Sequence, residues 1–180
     1  MKDMDDAMLV KMTLKGDLRA FEELVDRYQK VLYNTVLRIV QNADEAQDIT
    51  QSGFVKAYEH LADYKPQHKF FSWLYRIVVN ESLNALRRRK DTQDIDSGMM
   101  ASEKDPAQTF EDSEREEYID KALQLLTPEN RAVVVLRHFQ DLTYREIGQI
   151  LDIPEKTVKS RLFTARQLLK DRLLKLGYSQ

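Results

Sequence analysis

The residues of this sequence best suited to chemistry are cations concentrated near its C-terminal end. Seven lysines and arginines occur between positions 156 and 175 against the single acid Asp171, which leaves six net positive charges on that stretch. They are Lys156, Lys159, Arg161, Arg166, Lys170, Arg172 and Lys175. Cations on one face of a helix neutralise phosphates, so this chemistry is that of nucleic-acid binding. An ordinary solvated helix face is the alternative for any single charged helix.

Two predicted helices joined by a short turn position these cations. Thr143 can cap the first helix, and Glu146, three residues on, completes a capping box. Leu151-Asp152-Ile153 forms the turn. Pro154 suits the first position of a second helix, because its missing N–H would be unpaired there in any case. This spacing is typical of a DNA-binding helix-turn-helix. Since the turn, the caps and the one-sided charge agree, we prefer DNA binding to the solvated face.

The second helix would bury an apolar stripe and turn its polar face to the duplex. The stripe consists of Val158, Leu162, Ala165 and Leu169. Residues near the helix N-terminus enter the major groove, so base edges or a thymine methyl group would meet Lys159, Ser160, Phe163 and Thr164. Phosphate contacts are expected from Arg145, Thr157 and Arg161.

Composition predicts an all-α protein. The hydrophobic fraction of 42% is enough for real cores, while only 5 Gly and 4 Pro argue against a loop-rich β protein. The absence of Cys excludes disulfides and thiolate metal sites and fits a cytoplasmic protein. No leader opens the chain and no run reaches about 18 apolar residues, so we expect neither secretion nor a membrane span. The net charge of −2 averages over oppositely charged blocks.

The N-terminal part reads as four helices. A short one carries Met8, Leu9 and Met12, and Asp17 caps a long core helix. A third follows Asn42, with Ala46, Ile49, Phe54, Ala57, Tyr58 and Leu61 placed inward. The fourth runs through FFSWLYRIVVNESLNALRRRK. Its basic end and nearby aromatics suggest a second surface, for unstacked bases, made of Tyr64, Phe70, Phe71, Trp73 and Arg87 to Lys90. A plain core role for Phe70 and Trp73 is the open alternative.

An acidic stretch divides the chain. From Asp91 to Glu117 there are ten acids against Lys104 and Arg115. With Ser97-Gly98, Asp105-Pro106 and little apolar periodicity, its first part is predicted to be a flexible linker. The predicted units are residues 1–90, a linker at 91–112, and a second helical domain at 113–180 that contains the helix-turn-helix.

No enzyme signature is present in the sequence. His60, His68 and His138 lie on three different predicted elements without partners at helical spacing. There is no glycine-rich phosphate loop and no nucleophile elbow. We therefore expect no catalytic activity, no metal site and no cofactor.

Four motifs in order resemble the extracytoplasmic-function (group IV) sigma factors of the sigma-70 family. They are GDLRAFEELVDRYQKVLY, DEAQDITQSGFVKAY, FFSWLYRIVVNESLNALRRRK and LTPENRAVVVLRHFQDLTYREIGQILDIPEKTVKSRLFTARQLL, and together they cover nearly the whole chain. The resemblance implies a bacterial transcription initiation factor that binds core RNA polymerase, directs it to promoters and assists DNA opening. Residues 1–90 would be sigma region 2 and residues 113–180 sigma region 4.

The resemblance also assigns binding residues. Contact with the clamp coiled coil of the largest polymerase subunit would fall to Asp44, Asp48, Gln51, Phe54, Lys56 and Tyr58. The minus-ten element, with one base flipped into a pocket, would be bound by Tyr64, Phe70, Phe71, Trp73, Arg76, Asn80, Arg87 and Arg88. The minus-thirty-five duplex would be read by Arg145, Lys156, Thr157, Lys159, Ser160, Arg161, Phe163, Thr164 and Arg166. The second domain would also touch the polymerase flap.

Several residues of this sequence differ from those common in the family, and the family also implies a protein partner. Gly53 stands inside the polymerase-contact helix, where it costs about 1 kcal/mol relative to Ala. Gln47, Ser52 and Thr164 also differ from the residues common in the family. These differences bear on which promoter sequence is recognised, and the resemblance to the family is unchanged. An anti-sigma factor is the partner that the family implies. The rival hypotheses are a regulator that binds DNA without polymerase through the same helix-turn-helix, and a helical adaptor that binds only protein.

Overall fold

The computed structural model of the protein describes residues 4–93 and 119–175. Within these ranges the chain is helical throughout and contains no strand, as its composition predicts. The helices are α1 (Asp6–Thr13), α2 (Leu18–Val40), α3 (Ala43–Glu59), α4 (Phe70–Gln93), α5 (119–124), α6 (Pro128–His138), α7 (Tyr144–Leu151) and α8 (Glu155–Lys175), with a 3₁₀ turn at Leu61–Asp63. The predicted linker, beyond its first residues, and the predicted start of the second domain lie outside the described residues.

Side-chain caps begin α2, α3 and α7 where the sequence predicts them, and a further cap begins α6. The carboxylate of Asp17 accepts from the amide of Arg19, and Asn42 Oδ1 accepts from Glu45 at 2.8 Å. Thr127 caps α6, which has Pro128 in its first turn. Each cap satisfies an N–H that has no partner inside the helix. The start of one helix differs from the prediction by one residue. Helix α8 begins at Glu155 rather than at Pro154, and the carbonyl of Pro154 accepts the first hydrogen bonds of the helix.

The N-terminal half packs α2, α3 and α4 around one core. The α2 side of this core includes Leu24, Leu32, Val36 and Ile39, none of which exposes any surface. Gly53 lies where α3 crosses α4, and a Cβ there would meet Val78 Cγ1 at 2.4 Å. The glycine therefore permits a close helix–helix approach, which gives its cost within the helix a structural reason.

The C-terminal half packs α6 against α7 and α8. Most of the predicted stripe of α8 is buried, with Val158, Leu162 and Ala165 at most 1% exposed and Leu169 half-buried. Gly148 of α7 faces the turn that leads to α8, and a Cβ there would stand 2.8 Å from the carbonyl oxygen of Ile153. The turn itself depends on Asp152, whose backbone adopts the left-handed conformation with φ of 54°.

The two halves also pack against each other. Helix α7 lies against α4, and α6 lies against both α2 and α4. Helix α6 is therefore buried on every side. Each of the six successive residues Arg131–Leu136 is at most 8% exposed. A helix on the surface of a small separate domain would expose one face. The apolar residues of α6 therefore pack both against α2 and α4 and against α7 and α8.

Candidate nucleic-acid and protein interfaces

The helix-turn-helix forms as predicted, and its capping box is complete. Glu146 N donates to Thr143 Oγ1 at 3.2 Å, while Thr143 N and Thr143 Oγ1 both donate to Glu146 Oε2, at 3.0 and 2.8 Å. Glu146 also binds Lys69 Nζ through Oε1 at 2.8 Å. The bond from Lys69, followed by those from Thr143, lowers the pKa of Glu146 to about 2. The carboxylate that fixes the first helix is therefore ionised at any physiological pH.

The exposed face of α8 gathers most of the residues predicted to read duplex DNA. Lys156, Lys159, Ser160, Phe163, Thr164 and Arg166 are exposed, as is Arg145 on α7, while Thr157 and Arg161 are half-buried. Phe163 is 66% exposed, which is a large value for an aromatic ring, so packing within the fold does not explain this residue. A phenyl ring in that position can contact a thymine methyl group in a major groove. The side chains of Arg172 and Lys175 lie outside the described set.

Lys159 is already engaged in the free protein. Its Nζ lies 3.0 Å from Glu155 Oε1 and 5.8 Å from the centre of the Tyr144 ring. Both partners are within the helix-turn-helix, so they hold the ammonium beside the N-terminus of α8. Arg166 at the other end lies 3.5 Å from His138 Nε2. Burial, together with the cations Arg166 and Arg137, lowers the pKa of His138, so this imidazole is neutral at neutral pH.

Helix α3 exposes a different kind of surface. Its outward residues follow the spacing i, i+4, i+7, i+11 and i+14, and we refer to them as the α3 stripe: Asp44, Asp48, Gln51, Val55 and Tyr58. Val55 is 58% and Tyr58 is 44% exposed. The stripe is therefore acidic at its N-terminal end and apolar at its C-terminal end.

One predicted orientation on α3 is wrong. Tyr58 points outward rather than inward, with its ring 5.0 Å from that of Phe21, because it lies on the same helical face as Asp44, Asp48 and Gln51. Phe54 is only 8% exposed and belongs to the core, which confirms its predicted inward position. Lys56 lies off the stripe and forms an ion pair with Glu81 at 2.7 Å. Val55 was assigned no role from the sequence, although its spacing from Asp48 and Gln51 places it on the same exposed face.

The aromatic residues predicted to bind unstacked bases do form one cluster. The rings of Tyr64, Phe70 and Trp73 lie 5.5 to 5.7 Å apart, and Phe71 stacks on Tyr75 at 4.2 Å. Tyr64 and Phe70 are 8% and 2% exposed, so in this conformation both belong to the core. Phe71 and Trp73 are half-buried at its edge. Only those two could meet a base without rearrangement.

Basic residues continue from this cluster along α4. Arg76 is exposed and Asn80 half-buried one turn further on. Arg87 and Arg88 are exposed near the end of the helix, where cations interact well with the helix dipole. Arg87 lies 3.8 Å from Glu129 of α6, and Arg89 lies 3.5 Å from Glu45 of α3. Part of this basic run thus has structural partners.

Comparison with known proteins identifies the family. Residues 24–92 match the family model of sigma-70 region 2, and residues 116–169 match that of sigma-70 region 4. The RNA polymerase sigma-H factor of Pseudomonas aeruginosa is 35% identical over 176 residues, with 91% of each chain covered. The ECF RNA polymerase sigma-E factor of Escherichia coli K12 is 32% identical over 184 residues, with 96% of each covered. The chain belongs to the extracytoplasmic-function group of the sigma-70 family.

Solved structures support the same assignment. The structure of CnrH in complex with the cytosolic domain of CnrY aligns with a TM-score of 0.72 and 25% identity, over 97% of this chain and 99% of that one. The sigma factor RpoE in complex with the anti-sigma factor NepR from Bartonella quintana gives 0.73 at 25% identity, over 86% and 96%. This sigma factor binds core RNA polymerase and promoter DNA and directs promoter-specific initiation of transcription.

Two negative observations accompany the assignment. Within residues 4–93 and 119–175, no group of three or more His, Asp or Glu side chains is placed to hold a metal ion. In the same ranges, every helix is too short or too polar to traverse a lipid bilayer.

Proposed function

We propose that this sigma factor divides its work between two surfaces of opposite chemistry, one for polymerase and one for promoter duplex. The observation that carries the proposal is the contrast between the acidic and apolar α3 stripe and the basic face of α8. Exposed apolar side chains bordered by polar ones are usual in protein–protein interfaces. Clustered cations with few acids are usual where duplex DNA binds.

The polymerase surface would be the α3 stripe, docked against the clamp coiled coil. Asp44, Asp48 and Gln51 would provide polar contacts at one end, and Val55 and Tyr58 an apolar anchor at the other. Aromatic residues near the centre of an interface often carry much of its binding energy. Phe54 would support this surface from behind, and Lys56 would flank it through its pair with Glu81. The flap would bind the second domain.

The minus-ten surface would be the loop Tyr64–Phe71 with the adjoining part of α4. Phe71 and Trp73, half-buried at the cluster edge, are suited to stacking on an unpaired base. Arg76 and Asn80 would follow the strand, and Arg87 and Arg88 would hold phosphates further along. Tyr64 and Phe70 would form the floor of the pocket that receives the flipped base. Holding that base outside the stack would assist promoter opening.

The minus-thirty-five surface would be the exposed face of α8 with Arg145 of α7. Ser160, Phe163 and Thr164 are suited to base edges, and Lys156, Thr157, Arg161 and Arg166 to phosphates. We assign residues 1–90 to the polymerase and minus-ten domain, 91–112 to the linker, and 113–180 to the minus-thirty-five domain.

An anti-sigma factor is the proposed regulatory partner. Support comes from RpoE, which was solved with the anti-sigma factor NepR and aligns with this chain at a TM-score of 0.73. We further propose that the protein acts in the cytoplasm, beside its polymerase, and catalyses no reaction of its own. It would need no metal and no cofactor.

Transcription in vitro tests this function. Core RNA polymerase would be mixed with genomic DNA, with and without the purified chain, and the transcript starts would be sequenced. We expect starts that depend on the chain and share two upstream elements. Specific binding of the same DNA by the chain without polymerase would instead favour a direct DNA-binding regulator.

A further inference from the structure

The short helix α1 is joined to α2 by polar contacts at its first residue. The side chain of Asp6 uses both carboxylate oxygens, and the two partners are consecutive residues of α2. Oδ1 accepts from Arg27 Nη1 at 2.7 Å, and Oδ2 accepts from the hydroxyl of Tyr28 at 2.5 Å. Arg27 Nη2 also donates to the carbonyl of Met4 at 3.1 Å. We refer to Asp6, Arg27 and Tyr28 as the α1 anchor.

The helix α1 has other contacts that explain its formation and its packing. Asp5 caps it by accepting from the amide of Met8 at 2.7 Å. Leu9 and Val10 are at most 4% exposed and attach the helix to the core. What the α1 anchor adds is a fixed position for Tyr28. A hydrogen bond from a hydroxyl to a carboxylate is charge-assisted, and such bonds are roughly twice as strong as neutral ones.

The ring of Tyr28 packs against the start of α4. Its centre lies 6.0 Å from that of Phe70 and 5.8 Å from that of Phe71. Phe71 also stacks on Tyr75, whose hydroxyl lies 3.1 Å from that of Thr35. The half-buried Phe71 therefore contacts two tyrosine rings, and the hydroxyl group of each tyrosine is itself hydrogen-bonded. Aromatic pairs have preferred geometries, so two fixed neighbours limit the orientations open to the Phe71 ring.

The carboxylates at the start of α1 also lie near the proposed floor of the base pocket. Burial raises the pKa of Tyr64, and the negative charges of Asp6 and Asp5 raise it further. Burial, followed by the hydrogen bond to Asp6, likewise raises the pKa of Tyr28. Both hydroxyls therefore stay protonated at physiological pH, and that of Tyr64 donates to the carbonyl of His68 at 2.6 Å. The start of α1 is thus a neighbour of the minus-ten loop.

Stacking on an unpaired base is most favourable when the ring is already in place. Immobilising a free side chain during binding costs roughly two- to tenfold in affinity, and a ring fixed beforehand avoids that cost. We propose that the α1 anchor is a positioning network for the minus-ten site, which holds Phe71 ready to stack on the unpaired base and makes α1 part of that site. This inference rests on the proposed minus-ten surface.

A purely structural role for the α1 anchor makes a different prediction. Loss of a structural contact lowers the amount of folded protein and weakens every contact with DNA by the same factor. Loss of a positioning contact weakens only the contact with the base on which Phe71 stacks. The two roles therefore differ in the ratio of two affinities, one for DNA with that base and one for DNA without it.

Binding of forked promoter DNA by the holoenzyme measures this ratio. The DNA would carry a duplex minus-thirty-five element and an unpaired minus-ten strand, taken from a promoter found by sequencing transcript starts. Each unpaired position would be tested with its base and as an abasic site. With the unaltered chain we expect one position at which removal of the base weakens binding about fivefold or more. F71A should abolish most of that difference.

Y28F and D6N test the α1 anchor itself. Y28F keeps the ring and removes the hydroxyl, while D6N keeps the size of the side chain and removes its charge. Each should lower the ratio at that position about threefold and leave the affinity for the abasic DNA unchanged. Binding of core polymerase should also be unchanged, because the α1 anchor lies outside the α3 stripe. T13V is the matched control, since it removes a buried hydrogen bond within α1, from Thr13 Oγ1 to the carbonyl of Leu9 at 2.8 Å.

Each outcome decides between hypotheses. Unchanged ratios in Y28F and D6N, while F71A loses the difference, would overturn the positioning role. A parallel loss of affinity for intact and abasic DNA, or an equal fall of the ratio in T13V, would also overturn it, because either result would mean that the α1 anchor only stabilises the fold. If the unaltered chain showed no such position, or if F71A kept the whole difference, the proposed minus-ten surface itself would fail.

Discussion

The exposed faces of α3 and α8 have the same helical geometry but opposite chemistry. The α3 stripe combines two carboxylates and an amide with the exposed side chains of Val55 and Tyr58. The α8 face combines cations with Phe163. Binding through apolar area depends little on salt, whereas binding to phosphates releases counterions and depends on it strongly. Binding to the two partners can therefore be weakened separately, by different kinds of substitution.

The largest expected effect comes from reversing a charge in the α3 stripe. D48R should weaken core polymerase binding by about 2 kcal/mol or more, roughly thirtyfold. The polymerase surface that faces the carboxylate of Asp48 would then face a cation. Binding measured by fluorescence anisotropy would show the loss. D26R on the exposed surface of α2 is the matched control, and full affinity of D48R would remove α3 from the polymerase surface.

The next largest effect concerns the packing that holds the α3 stripe in place. G53A should lower the free energy of unfolding by about 1–3 kcal/mol, because its Cβ would meet Val78 at 2.4 Å. Thermal unfolding would measure the change. The double variant G53A/V78A should be less destabilised than the sum of the two single variants, since the smaller partner makes room. Strict additivity would mean that the two residues are not in contact.

A smaller effect is expected at the position that the sequence did not identify. V55A should weaken polymerase binding by about 1 kcal/mol, roughly fivefold, while leaving the melting temperature unchanged because the side chain is exposed. Anisotropy and calorimetry on the same sample would separate the two quantities. A loss of stability equal to the loss of binding would show that Val55 packs within the fold rather than against a partner.

The smallest effect distinguishes the α8 face by its salt dependence. K156A should weaken promoter binding by holoenzyme only a few-fold, but should reduce the slope of log affinity against log salt by about 1. D48R should leave that slope unchanged once saturating polymerase is supplied. Equal slopes for K156A and the unaltered chain would mean that Lys156 contacts no phosphate.

Local chemistry made much of the fold predictable. The capping box of Thr143 and Glu146, the caps at Asp17 and Asn42, and the buried stripe of α8 all depend on spacings of three or four residues. Such signals need no knowledge of the rest of the molecule. The helix-turn-helix and the all-helical class followed from them.

The features that the sequence did not predict are tertiary contacts. Helical spacing predicts an inward position for Tyr58, yet it is 44% exposed and its ring lies beside that of Phe21. The packing of the two domains was also missed. A local sign of it is that the run Ala132–Leu136 is apolar on all sides.

That same run has a consequence for the solubility of the protein. Three successive valines between Ala132 and Leu136 combine high β-propensity with no charge, the composition of segments that aggregate when exposed. With the two domains packed together, each of these side chains is at most 5% exposed. Removing α6 from α2 and α4 would expose part of this run to other copies of the protein. The contact between the two domains would therefore also protect the protein from self-association.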